Sequence, residues 1–92
     1  MTRQVTDNPA RSRYELSVDG ELAVAEYQRE QDRLVFTHTV VPEEIEGRGV
    51  GSTLIRAALD SARAQNLKIV ARCSFVAEFV RKHPEYQDLV AD

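Results

Sequence analysis

Ninety-two residues make one small domain, with no room for a second catalytic unit beside the first. Apolar residues at 42% and charged residues at 29% sit near globular averages and exclude a disordered tail, a collagen-like repeat or a coiled-coil rod. Twelve basic against 15 acidic side chains leave a net charge of -3 without the clustered positive field that a phosphate backbone requires, which argues against nucleic acid as the main partner.

The one cysteine, Cys73, can form no internal disulfide, and no basic start leads into an apolar stretch. Both features point to a reduced, cytoplasmic setting. Apolar runs such as Ile69-Val70-Ala71 fall far short of the roughly 20 residues of a membrane helix, so no membrane role is expected.

In chain order, residues 1–13 carry only scattered apolar groups around the turn former Asn8-Pro9, and read as a flexible lead-in to a domain over 14–92. Tyr14, Leu16 and Val18 then alternate up to Asp19-Gly20, a dipeptide that tolerates the positive φ angles of a tight hairpin turn. The second arm, Glu21 to Gln28, puts Leu22 and Val24 on one face and Ala23, Ala25 and Tyr27 on the other, and the polar run from Arg29 to Asp32 breaks it. From Arg33 to Val41 a further strand is apolar enough on both faces to be central; simple alternation places Leu34, Phe36, His38 and Val40 together. Pro42 ends it, because proline removes a ladder donor.

Beyond the loop Pro42 to Gly51 the spacing turns helical. Val50, Leu54, Ala57, Ala58 and Ala62 share one face, widened by Ile55 and Leu59, and Asn66 is a C-terminal stop. The β-branched stretch Leu67 to Arg72 predicts a strand reached directly from that helix, which makes a βαβ crossover with 33–41. Ser74 offers an N-cap for a second helix, Phe75 to Lys82, halted before Pro84. The fold class is therefore α/β (α+β): antiparallel strands leading into a βαβ crossover, closed by a C-terminal helix.

Gly47, Gly49 and Gly51 lie between a strand and a helix start, where unpaired N–H groups and the helix dipole favour an anion. The same spacing also suits a plain tight turn. A phosphate-binding Walker loop would need lysine before Ser52, and a dinucleotide fingerprint starting at Gly47 would need glycine at position 52. The better match is the Gln/Arg-x-x-Gly-x-Gly/Ala loop of GNAT-type N-acetyltransferases. Together with Phe-Thr-His-Thr-Val-Val-Pro-Glu-Glu at 36–44, Gly-Arg-Gly-Val-Gly-Ser at 47–52, Cys-Ser-Phe-Val at 73–76 and Lys-His-Pro-Glu-Tyr at 82–86, the chain resembles the short single-domain GNAT-like acetyltransferases over roughly 14–90.

The resemblance implies a compact GNAT-like fold and acetyl-CoA as cosubstrate. It implies that the pyrophosphate is held by the loop Glu46, Gly47, Arg48, Gly49, Val50, Gly51 and Ser52, with Val41 at the preceding strand end. It implies an amine acceptor, either a small molecule or a protein lysine, and a monomer or weak homodimer. The chain departs from the family at Glu46, where glutamine or arginine is usual, and Arg48 stands close enough in sequence to offset that charge. It departs again in the second helix, where Val80 takes the approximate place of the tyrosine that protonates the leaving thiolate in larger members.

Cys73, at a strand end and before a helix N-terminus, can act as nucleophile, as acid or as packing. His38 would stand beside it if the two parallel strands pair, either as a thiol partner or as a satisfied core histidine. His83, at a helix end, reads as structural, and Glu43 and Glu44 as solvated or as relays to an acceptor through water. Two histidines and one cysteine without ligand spacing argue against a metal. The leading reading is an acetyl-CoA-dependent N-acetyltransferase; a non-catalytic CoA or acyl-CoA module and a protein-interaction domain are the alternatives.

Overall fold

A computed structural model of the chain describes residues 4–91. Five strands form one sheet in sequential order: β1 (Thr6–Asn8), β2 (Arg13–Val18), β3 (Glu21–Glu30), β4 (Arg33–Val40) and β5 (Lys68–Ala71). Neighbours are antiparallel up to β4, and β4 with β5 is parallel. The connection between that parallel pair carries α1 (Val50–Ala64), and α2 (Ser74–Lys82) follows β5.

Local chemistry accounts for most of these elements. Asp19 and Gly20 both take positive φ, 52° and 79°, so the β2–β3 hairpin has the left-handed turn that matches strand twist. Asn66 ends α1 at φ 58°: its N–H reaches Arg63 O at 3.1 Å and the next N–H, of Leu67, reaches Ala62 O at 2.9 Å, the paired bonds of a Schellman stop. β3 runs two residues beyond the expected break, because Arg29 and Glu30 keep pairing with Leu34 and Arg33 at a solvated hairpin tip. The N-cap of α2 is Cys73, one residue before the serine expected there.

Within the segment expected as a flexible lead-in over 1–13, the described residues include an edge strand. Thr6–Asn8 pairs with β2, Tyr27 donates to Asp7 Oδ1 at 2.7 Å, and Asn8 Nδ2 donates to Glu15 Oε2 at 3.2 Å. A three-residue polar edge strand has no alternation to betray it. Residues 1–3 lie outside the described residues.

The core lies on one face of the sheet. Register puts Tyr14, Leu16, Ala23, Ala25, Tyr27, Leu34, Phe36 and Ile69 there, packed with Leu54, Ile55, Ala58, Leu59 and Ala62 of α1 and Val76, Phe79 and Val80 of α2. Val24 and Val35 are buried on the opposite face, outside this cluster. The tail forms a 3₁₀ turn, Pro84–Leu89, that buries Tyr86 and Leu89. Its Tyr86 hydroxyl donates to Asp60 at 2.7 Å, Arg63 pairs with Asp88, and Ala91 N–H reaches Ile69 O at 2.8 Å, so the last described residues shield the outer edge of β5.

Candidate active site

β4 leads into a short 3₁₀ turn, Glu43–Ile45, whose Ile45 is fully buried and anchors the loop that follows. Gly47 and Gly49 take φ of 80° and 73°, the region where L side chains are strained, and an added Cβ at either would meet nothing within 4 Å. Gly49 is the N-cap of α1 and contributes no side chain to its first turn. The N–H groups of Val50, Gly51 and Ser52 therefore stay without helical partners, and no acidic residue in that turn competes for them.

Gly51 serves a different purpose from the one the loop motif suggests. Its φ is not positive, and a Cβ there would lie 2.5 Å from Phe75 Cζ. It is small so that the α2 ring can lie against α1, whereas Gly49 is needed for its positive φ.

The loop walls a cleft of about 390 Å³ lined by Thr39, Val41, Ile45, Glu46, Gly47, Gly49, Val50, Gly51, Ser52 and Phe75. Seven of the eight residues expected to hold a cofactor line it. Arg48 does not: it forms an ion pair with Asp19 at the β2–β3 hairpin tip and tethers the loop to the sheet. Thr39, Ile45 and Phe75 line the cleft without having been anticipated.

At this cleft the parallel strands separate. Pairing of β4 with β5 stops at Phe36 and Ala71, and Phe36 O accepts from both Arg72 N–H (3.0 Å) and Cys73 N–H (3.1 Å). β4 continues to Val40 with no β5 partner, leaving backbone donors and acceptors along its free edge. On its other edge β4 bulges: Tyr27 pairs with Phe36 but Glu26 pairs with His38, so Thr37 is an extra residue, with its hydroxyl 3.4 Å from Glu26 O.

The bulge reverses which side chains face the core. Thr39 comes round to the side of Phe36, and exposed His38 turns to the open face opposite Glu26. The expected contact of His38 with Cys73 is thus replaced by one with Thr39, whose Oγ1 lies 3.3 Å from Cys73 Sγ. Alternation read along β4 fails at the residue where the bulge inserts.

Cys73 is 8% exposed. Burial pushes its thiol up, but the hydrogen bond with the Thr39 hydroxyl, the amides of Val76 and Phe75 at the start of α2 and the Thr39 amide outweigh it and hold the thiol below its ordinary range. The three tyrosines are engaged elsewhere: Tyr14 with Ser61, Tyr27 with Asp7, Tyr86 with Asp60. Val80 is buried in the core. His83 stacks on Phe79 with centroids 3.9 Å apart and holds Phe79 O at 2.7 Å through Nδ1, a structural role. Among the described residues no group of three His, Cys, Asp or Glu side chains could hold a metal ion, and no helix is long and apolar enough to cross a membrane.

Comparison with known proteins gives this cleft its context. The GCN5-related N-acetyltransferase family model matches residues 13–89. The chain is 31% identical over 84 residues to Protein NATD1 of Gallus gallus, covering 88% of this chain and 76% of that one, and 35% identical over 63 residues to Protein NATD1 of Bos taurus, covering 67% and 56%. The solution structure of a GCN5-like protein from Staphylococcus aureus superposes with a TM-score of 0.75 at 31% identity, covering 96% of this chain and 87% of the other. With a glycine turn at a helix start, two parallel strands parting beside it, and a family match over nearly the whole described fold, the chain belongs to the GCN5-related N-acetyltransferase family.

Proposed function

We propose that this protein transfers an acetyl group from acetyl-CoA to a primary amine, with the 46–52 loop holding the pyrophosphate through main-chain N–H groups. The observation that carries this reading is the meeting, in one cleft, of the unpaired α1 amides, the free edge of β4 and a thiol one hydrogen bond away. The fit with an anion rests on Gly47 and Gly49, where a side chain would stand in open space over the loop. Glu46 is the one ionisable side chain lining the cleft; it is exposed, and its own N–H is taken by Glu43 O at 3.2 Å.

Acetyl-CoA supplies an activated thioester. The chain supplies the rest: amides to hold phosphates, N–H donors on the free edge of β4 of the kind that stabilise a developing oxyanion, and a proton donor. We assign that last role to Cys73, since the tyrosines are engaged elsewhere. A thiol held below its ordinary range gives up a proton downhill to a departing thiolate of ordinary basicity, so an acid role needs no acyl-enzyme.

Calorimetry with CoA and turnover of acetyl-CoA with a panel of amines, followed by released thiol, test the two halves. A Cβ at φ 73° strains the loop by about 1 to 2 kcal/mol, and a free loop that relieves this by leaving the left-handed conformation must take it up again to bind, so Gly49→Ala is expected to weaken CoA binding by up to about tenfold. Unchanged affinity would remove the loop assignment. Binding without turnover on any amine would favour the second reading, a non-catalytic CoA module, which the small scaffold around the cleft also suits.

A further inference from the structure

We propose that Thr39 is the positioning residue for the Cys73 thiol, the role that strand alternation gives to His38. The proposal rests on the cleft reading above, and it follows from the β4 bulge. The extra residue Thr37 turns Thr39 onto the core side, where β5 has already parted from β4, so its hydroxyl meets the sulfur at 3.3 Å at the edge of the cleft it lines. Thr39 Oγ1 donates to the sulfur when Cys73 is deprotonated and can donate to or accept from it when protonated, so it keeps the sulfur at the cleft edge in both states.

The backbone amides of Val76, Phe75 and Thr39 also face the sulfur and remain in any side-chain variant, but no nearby ionisable side chain takes the place of the Thr39 hydroxyl. His38 lies on the opposite face of β4, Arg72 precedes Cys73 in the chain, Glu46 belongs to the loop, and Glu78 is paired with Arg81 on α2; all four are exposed.

The chain has one cysteine, so iodoacetamide alkylation reports on this thiol alone. Its rate is measured over about pH 6 to 10, spanning the ordinary thiol value near 8.5. Thr39→Val keeps the shape and removes the hydroxyl, and is expected to raise the alkylation midpoint by about one unit. At pH 7 tenfold less thiolate, offset by about threefold greater nucleophilicity, leaves alkylation about threefold slower, while the high-pH plateau rises about threefold. Thr39→Ser is expected to keep the wild-type midpoint.

A midpoint that stays or falls in Thr39→Val overturns the proposal, and so does Thr39→Ser moving as far as Thr39→Val. Faster alkylation of Thr39→Val at every pH would mean that the residue only packs. Because the thiol is read directly, a failure to turn over acetyl-CoA would sink the acetyltransferase reading while leaving this result intact.

Discussion

Gly51→Ala is the perturbation on which the helix packing at the cleft mouth can be checked most sharply. Replacing glycine inside a helix normally gains about 1 kcal/mol. Here the new Cβ would start 2.5 Å from Phe75 Cζ and within 3.3 Å of two more ring carbons, so the ring must move. Overpacking of this kind costs about 1 to 3 kcal/mol. Phe75 is 40% exposed and can swing outward, which puts the cost toward the lower end.

The net expectation for the single variant is a loss of about 0 to 2 kcal/mol, or up to roughly 16 °C at 4 to 8 °C per kcal/mol for a domain of this size. In a Phe75→Ala background the clash is absent, and the same substitution should stabilise by about 1 kcal/mol. Urea denaturation of the wild type, both single variants and the double variant gives the coupling energy, expected at about 1 to 3 kcal/mol. Additive effects within about 0.5 kcal/mol would mean that Gly51 is not small on account of Phe75. CoA calorimetry on the same four proteins then separates ring displacement from loop geometry, since Gly47 and Gly49 are untouched.

Cys73→Ala is expected to slow acetyl transfer by about 10² to 10⁴-fold, the range of general acid catalysis, while intact mass after acetyl-CoA without acceptor shows no adduct on the wild type. A stable acetylated species would instead make the thiol the nucleophile, and full activity of Cys73→Ala would make it packing. His38→Ala is expected to leave the Cys73 alkylation profile at its wild-type midpoint, because His38 faces the other side of the sheet; a shift toward higher pH would restore the histidine as thiol partner. Asp88 is held below its ordinary value of 3.8 chiefly by its hydrogen bond with Arg63, so the tie it makes is present above that pH and lost as pH falls through the lowered value. Protection factors across 84–91, each taken against the intrinsic exchange rate at the same pH, should therefore fall on acidification in the wild type, and Asp88→Asn should show that lower protection already at neutral pH; equal protection in both proteins would refute the link.

Features set by neighbours along the chain could be read from the residues. Asp19-Gly20 can take left-handed angles whatever surrounds it, the apolar spacing from Val50 to Ala62 is helical in any context, and Asn66 stops that helix through its own backbone. The glycines between strand and helix marked an anion-compatible turn for the same reason, while the cofactor cleft itself was implied by the family resemblance of the segments at 36–44, 47–52, 73–76 and 82–86. Signals of this kind lie within a few residues and owe little to distant contacts.

Tertiary structure alone decided the rest. The β1 edge strand exists because Tyr27 and Glu15 hold Asp7 and Asn8, and Arg48 leaves the cleft because the hairpin tip brings Asp19 within reach. The choice of Thr39 over His38 turns on one extra residue in β4, and only pairing with β3 reveals it. A hint lay in the change from Leu34-Val35-Phe36, apolar on both faces, to Thr37-His38-Thr39, polar on both, where strict alternation had ceased to mark a side. A strand's sequence carries its period, but its phase relative to the core is set by the partner strand, so the residue beside Cys73 could not be fixed until the register was known.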